Sequence, residues 1–590
     1  MKKNTDKINK GWSIRKHLVR YRYHFILGLI ALVIVDLLQL RVPLITGRVT
    51  DGLSSPDMTI AILRGEVLLI LIIGGSIAVG RFIWRYFIFG ASRKIEALIR
   101  ADYFRHLETL SMTFYNKNKT GDLMAYATND LNAIRMMVGP GLLMAFDALV
   151  LTVLVLYQML TTINVQLTLV AIIPLPLIAG GSMLLGRSIR NRFRSKQEAF
   201  AGMSDMVQEN ISGIRVIKSY VQEIKEIRAF NIKNRHNYDM NLRVIRLQAL
   251  MMPLAMMISG LSIAIALGYG GYMTMIGKIT LGDFVAFIQY IMMMIWPMIA
   301  MGWCINIMSQ GNASLTRLTN IMNQKPGIID LEDASNDSIK EATLEFKHLS
   351  YTYPGTDTPV LKDINLTVNK GETLGIIGKT GCGKTTLMNL LVRLYNPPEG
   401  TIAIGGHDIY HWTVKSLRRS FGYVPQDNFL FSDTIFNNIN FVKNKDLNKD
   451  VVDSATLADV HANIEDFTHG YDTIVGERGV TLSGGQKQRI SIARAHLIDP
   501  LFLVLDDAVS AVDTKTEESI LSALKTSRTD KTTIIIAHRI STIQDANQII
   551  VMDEGRIIEQ GNHDALMNLK GTYYKLVQKQ QLEKIIGEQE

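Results

Sequence analysis

Cysteine is nearly absent from this chain: Cys304 and Cys382 are the only two thiols in 590 residues. One falls in an apolar run and the other in a glycine-rich loop, so no disulfide framework is possible and nothing points to an oxidising compartment. Charge is missing over long stretches. Between Asp147 and Arg187 about forty residues carry none, enough for most of two membrane crossings at roughly 20 residues each. Leu247–Gly277 and Phe284–Thr316 are also uncharged and long enough to span. A small-residue cleavage site is lacking after the first apolar stretch, which Asp36 and Arg41 interrupt, so it reads as a retained anchor and not as a signal peptide. Pro and Gly are sparse in 91–138 and 188–246, which excludes loops there and leaves long helices.

The length exceeds one hydrophobic core, and the 47% hydrophobic content is clustered, which implies a membrane part and a soluble part. The formal charge of +9 invites a nucleic-acid reading, but its placement argues against one. Lys2, Lys3, Lys7, Lys10, Arg15, Lys16, Arg20 and Arg22 crowd the N-terminus, and further basic residues fill 93–135 and 187–246. That is the bias of cytoplasmic segments in a membrane protein, so nucleic acid is not expected as a partner. Six crossings are predicted, near 23–46, 65–90, 139–161, 166–187, 247–273 and 284–308. An even number leaves both termini in the cytoplasm. The expected fold is an α-helical six-helix membrane domain (1–321) with long cytoplasmic helical extensions, a polar turn-rich linker (322–342) and an α/β P-loop nucleotide-binding domain (343–590).

Within the membrane part, Asp36 and Asp147 stand in apolar segments, where an isolated charge costs several kcal/mol. They are candidates for a cation or proton site, or for pairing within the bundle, with Asp36 placed near the outer end of its segment. Methionines cluster at 251–257 and 292–294, with Trp296, Met298 and Trp303 nearby. Adaptable side chains of this kind suit a permissive pocket, and core or lipid-facing packing explains them equally. Trp296 and Met298 are the substrate candidates there.

The strongest chemistry lies at Gly378-Lys379-Thr380-Gly381-Cys382-Gly383-Lys384-Thr385-Thr386, a match to G-x-x-x-x-G-K-[ST] between a predicted strand and a predicted helix. Glycines let backbone N–H groups wrap phosphates, and the helix N-terminus favours negative charge. Lys384 is placed to reach the β- and γ-phosphates of ATP and Thr385 to ligate magnesium. Downstream come Leu482-Ser483-Gly484-Gly485-Gln486, an apolar strand ending in Asp506-Asp507, then Ser510-Ala-Val-Asp513 and a strand ending in His538.

With these motifs in this order, the chain resembles ATP-binding cassette (ABC) transporters, whose signature is L-S-G-G-Q. The resemblance covers about residues 343–580 and implies the remaining roles. Tyr353 matches the aromatic that stacks on adenine, and Gln426 the glutamine that touches magnesium. Asp506 matches the magnesium-coordinating aspartate, His538 the γ-phosphate histidine and Asp513 the residue that crosses to a partner cassette. Ser483, Gly484, Gly485 and Gln486 would act on the partner's ATP. Val475-Gly476-Glu477-Arg478-Gly479 resembles an exporter motif, and segments near 114–123 and 209–218 resemble coupling helices.

Asp507 departs from the family pattern, which has glutamate there as the base that polarises the attacking water. Aspartate falls short by one methylene, roughly 1.5 Å, and general-base chemistry needs hydrogen-bond reach. With the phosphate loop, signature and His538 intact, the pattern resembles the degenerate-site subunit of bacterial heterodimeric multidrug exporters. The implied protein sits in a bacterial cytoplasmic membrane. It exports amphipathic small molecules with ATP and Mg2+, beside a second half-transporter that carries the catalytic Glu. The alternatives are a homodimeric exporter or lipid flippase with Asp507 as a slow base, and a mainly regulatory ATP-binding subunit.

Overall fold

The computed structural model describes residues 12–53, 58–442, 448–476, 479 and 482–587. The chain divides into two units: residues up to Glu108 with Lys119–Gln324, and Thr109–Asn118 with Lys325 onward.

The first unit is helical. Among the described residues five helical stretches are long and apolar enough to cross a membrane: Arg22–Leu53, Ile60–Leu107, Thr120–Ile163, Glu223–Met275 and Leu281–Met322. The expected crossing at 166–187 differs. Its apolar part is the short stretch Val165–Ile178, broken after Ile172, and Leu175–Ser212 continues as a largely polar helix. Pro174 and Pro176 explain the break, because neither has an N–H to donate to the preceding turn. The other helices run well past their predicted ends, since Arg22–Leu53 and Ile60–Leu107 carry polar turns at the extremities that hydropathy alone leaves out.

Small residues set the packing of this unit. A methyl group on Gly28 would lie 2.4 Å from Ile88, and one on Gly80 2.5 Å from Val35. At Gly47 and Gly282 two helix backbones meet, and a Cβ on Gly282 would sit 2.1 Å from the Gly47 carbonyl oxygen. Such contacts are how helices associate where lipid removes the hydrophobic drive. Polar bonds add to them: Tyr290 Oη donates to the Leu40 carbonyl at 2.8 Å, and Gly282 N–H donates to Asp51 at 2.6 Å. Buried Asp130 accepts from Ser314 Oγ at 2.7 Å and from Arg317 Nε at 3.1 Å, tying Leu281–Met322 to the Thr120–Ile163 stretch.

The second unit is α/β. An antiparallel sheet of β1 (Leu344–Tyr351), β2 (Leu361–Val368), β4 (Ile402–Ile404) and β5 (His407–Asp408) has the order β2-β1-β4-β5. A six-stranded sheet adds β3 (Thr373–Gly378), β6 (Phe421–Val424), β7 (Phe502–Asp506), β8 (Thr532–Ile536), β9 (Gln548–Asp553) and β10 (Arg556–Gly561) in the order β10-β9-β3-β8-β7-β6. All its neighbours are parallel except β9 and β10. Strands β7 and β8 are buried at every position, which is why they read as unbroken apolar runs.

The segment expected to be a linker is bound to this unit. The helix before it runs to Met322, and the chain that follows is held along its length. Arg393, fully buried over the Tyr410 ring at 4.6 Å, donates to the Ile329 carbonyl at 3.2 Å. Asp330 accepts from Val414 N–H at 2.7 Å, and Ser335 pairs with Trp412. Turn-rich composition signals the lack of regular structure, not freedom: these polar groups find partners on the cassette surface.

Candidate nucleotide site

Four neighbouring parallel strands deliver the site. The phosphate loop leaves the carboxyl end of β3, His538 follows β8, Asp506 ends β7 with Asp507 next, and Gln426 follows β6. Because these strands share one direction, their carboxyl ends lie along one edge, where open α/β sheets bind ligands. A cleft opens there, lined by Thr380, Gly381, Gly383, Lys384, Thr385, Thr386, Gln426, Asp506, Asp507 and His538, together with Val360.

The loop glycines are required by geometry. Gly381 and Gly383 have φ of +84° and +106°, and a Cβ on Gly378 would lie 2.2 Å from the Met552 carbonyl oxygen. Lys384 begins the helix Lys384–Leu391, and its ammonium folds back to donate to the carbonyls of Gly378 at 2.7 Å and Lys379 at 2.9 Å. Those are neutral acceptors, which a phosphate oxygen would outcompete. Cys382 is buried, with its sulfur 3.9 Å from that ammonium, while Lys379 turns away to Asp553 at 3.7 Å.

Asp506 is 2% exposed, and its Oδ2 has no hydrogen-bond partner among the described residues. Burial pushes its carboxyl above the usual range against the Thr385 hydroxyl, which lowers it, and the charge of Asp507 adds to the rise. An orphaned carboxylate oxygen beside a threonine hydroxyl fits a magnesium ion, which Asp506, Thr385 and Gln426 would hold. When bound, the metal neutralises phosphate charge.

Asp507 has a φ of +52°. This left-handed position is tolerated by Asp and Asn better than by longer side chains. Its N–H donates to the Ile536 carbonyl at 2.9 Å, and its own carbonyl accepts from Ser510 Oγ at 3.0 Å and Gln488 Nε2 at 3.2 Å. Gln488 also accepts from Ala511 N–H at 2.9 Å, so one buried amide ties the signature helix Gly484–Leu497 to the loop after Asp507. Sequence reasoning passed over Gln488; its place two residues after the signature was the available signal.

Tyr353 borders the cleft, and the remaining candidates are not among the residues that line it. Ser483 and Gln486 form a reciprocal capping box at 3.2 and 2.9 Å, which leaves the exposed Ser483 and Gly484 at an open helix N-terminus. Asp513 caps Thr514–Ser527 through Thr516 N–H at 3.0 Å, and that bond holds its carboxyl below the usual range. Tyr353 lies just past β1 and donates to Thr386 Oγ1 at 3.0 Å. Its ring meets Tyr395 edge-on at 5.0 Å, and Tyr395 Oη accepts from Asn116 Nδ2 at 2.7 Å. Asn116 belongs to the helix Met112–Lys117, the first half of the expected segment 114–123; the second half is Thr120–Ala125 in the other unit. The segment near 209–218 breaks at Gly213 and restarts as Ile214–Ser219. An exposed aromatic group not foreseen from the sequence, Phe429, Phe431 and Phe441, stacks beside Arg494, and burial brings that guanidinium down to about 10. Glu477 and Arg478 of the exporter motif, and the basic residues before Trp12, lie outside the described residues.

In the helical unit Asp36 is 1% exposed, and its Oδ2 has no hydrogen-bond partner among the described residues. It lies midway along Arg22–Leu53, not near an end, and interacts electrostatically with Asp147 and Arg81. Trp296 and Met298 part company. Two residues on a helix point nearly opposite ways, so Met298 packs in the core and Trp296 is exposed, edge-on to Trp303 at 6.0 Å.

Residues 25–298 match the family model for the ABC transporter transmembrane region, and 361–510 the family model described as ABC transporter. The chain is 38% identical, over 97% of each chain, to the Bacillus subtilis protein named "Probable multidrug resistance ABC transporter ATP-binding/permease protein YheI". It is also 38% identical to the Escherichia coli multidrug resistance-like ATP-binding protein MdlA, over 97% of this chain and 96% of that one. The ATP-dependent lipid A-core flippase of Syntrophus aciditrophicus is 35% identical over 89% and 86% of the two chains. A solved bacterial Atm1-family ABC exporter with ATP bound superposes with a TM-score of 0.78 at 26% identity, covering 96% of this chain and 99% of that one.

Proposed function

Because this chain belongs to the ABC transporter family and joins a transmembrane region to an ATP-binding region, as its multidrug-type relatives do, we propose that it drives amphipathic small molecules out of a bacterial cytoplasm as one half of a heterodimer. The single observation that carries the heterodimer is Asp507, a short carboxylate at the end of β7 in an otherwise complete site. Six crossings with both termini cytoplasmic complete the reading, with the Pro174-broken segment as the fourth. ATP binds with Lys384 released from its carbonyls onto the phosphates, Tyr353 against adenine and His538 at the γ-phosphate. Asp507 orients water poorly. The open signature terminus at Ser483 completes the partner's site, and the exposed patch of Phe429, Phe431 and Phe441 receives a coupling segment of the partner. Asp36 and Asp147, which interact within the bundle, are the candidate cation site, with Asp36 buried and Trp296 exposed.

Asp507→Glu in the assembled transporter tests this. Since a positioned base contributes about 100- to 10,000-fold, hydrolysis at this site should rise by about 10-fold or more. A second reading has support in the backbone. The left-handed φ gives aspartate a conformational reason to stand here, so a homodimer with Asp507 as a slow working base is consistent with the same residue. Asp507→Asn separates the two, because it keeps the backbone preference and removes the base. It leaves turnover unchanged if the carboxylate is idle and abolishes it if Asp507 works. High activity without a partner, unmoved by Glu, would sink the degenerate-site reading. The flippase relative gives lipid cargo its support, and transport assays with a fluorescent phospholipid beside an amphipathic dye distinguish the two.

A further inference from the structure

We propose that Gln580, on the C-terminal helix Thr572–Gly587, is a positioning residue for His538. The chain after β8 has no ladder to hold it, so the backbone groups of 538 and 540 must be satisfied from elsewhere. One side chain does both. Gln580 Nε2 donates to the His538 carbonyl at 2.7 Å, and Gln580 Oε1 accepts from Ile540 N–H at 2.9 Å. The residue between them is fixed separately: Arg539 donates to Glu517 at 3.2 Å and to the Val512 carbonyl at 3.4 Å. Glu517 is 2% exposed and also accepts from Thr542. Three consecutive residues are thereby pinned, and only the imidazole of His538 is left free to line the cleft.

The helix that carries Gln580 is itself anchored. Tyr573 and Val577 are buried in the cassette core, and Tyr573 N–H donates to Glu559 at 2.9 Å. Residues 573, 577 and 580 share one helical face, so the packing that docks the helix also aims the amide. Gln580 thus makes the C-terminal helix part of the hydrolytic machinery without touching nucleotide. The inference rests on the reading of His538 as the γ-phosphate contact.

The test uses the full-length chain in lipid vesicles, with any partner that copurifies, both as the native chain and in the Asp507→Glu background. Gln580→Met removes both bonds at similar length; Gln580→Glu keeps the acceptor for Ile540 but sets a carboxylate against the His538 carbonyl. Each should lower kcat about 10-fold, the scale of one lost hydrogen bond, with KM for ATP and the unfolding midpoint unmoved. By mass spectrometry, amide exchange across 537–541 should speed up about 10-fold in Gln580→Met. In a His538→Ala background Gln580→Met should add nothing further. Unchanged kcat in both backgrounds overturns the proposal, as does a joint fall in kcat, KM and midpoint, or additivity with an impaired His538→Ala. A fully active His538→Ala removes the site reading as well, which additivity alone does not.

Discussion

The two units bury their apolar residues by opposite rules. In the cassette, β7 and β8 are closed off at every position, and exposed large apolar side chains are few, with Phe429, Phe431 and Phe441 grouped. In the helical unit the most apolar window of Ile60–Leu107 is only 11% buried, while that of Leu281–Met322 reaches 44%. Water makes exposed apolar surface costly and lipid does not, so hydrophobicity marks the interior of one unit and the exterior of the other. The informative residues invert accordingly. In the cassette they are the polar groups at strand ends. Among the helices they are the small and charged residues turned inward: Gly28, Gly80, Gly282, Asp36 and Asp130.

The comparison can be broken from either side. Lys384→Ala should have the largest effect, a loss of nucleotide affinity on the order of 100-fold, because charge-assisted bonds to phosphate are worth about 1.5–3 kcal/mol each. Equilibrium binding of a fluorescent ATP analogue measures it, and near-normal affinity would remove the phosphate role. Gly282→Ala comes next. Its methyl would meet backbone at Gly47, which cannot rotate away, so the helical unit should lose about 1–3 kcal/mol. The unfolding midpoint in detergent should fall while ATP binding at the folded cassette stays normal; an unshifted midpoint would mean the helices slide apart without cost. The smallest effect on the ATPase belongs to Asp36→Asn, which keeps shape and loses charge. Basal hydrolysis should stay within about twofold, since a neutral isostere at a buried site leaves packing intact, while efflux of a cationic dye falls. Equal efflux would make Asp36 a packing residue only.

Much of the cassette was legible because its chemistry is carried by contiguous residues. Gly381, Gly383, Lys384 and Thr385 stand in one short run, and the strand ending at Asp506 announces itself by unbroken apolar residues. In the other unit, five of the six expected crossings coincide with long apolar helices among the described residues, while the fourth is broken at Pro174; helix ends were not legible, because polar turns extend them. The segment after Met322 reads as a polar, turn-rich linker, and its binding was not legible because Arg393 and Trp412, which hold it, are distant in sequence. Trp296 and Met298 were paired by proximity in the chain, and the helix separates them.

By itself the sequence determined the two-part architecture and which residues are the candidates for phosphate contact, because both rest on composition and short-range spacing. Tertiary structure decided how those residues are held. It set the left-handed backbone of Asp507, and it brought together the brace from Gln488 to Asp507, 19 residues apart, and the clamp of Gln580 behind His538, 42 residues apart. A hydrogen bond depends on distance in space, and no local pattern in the chain encodes which remote amide will arrive there.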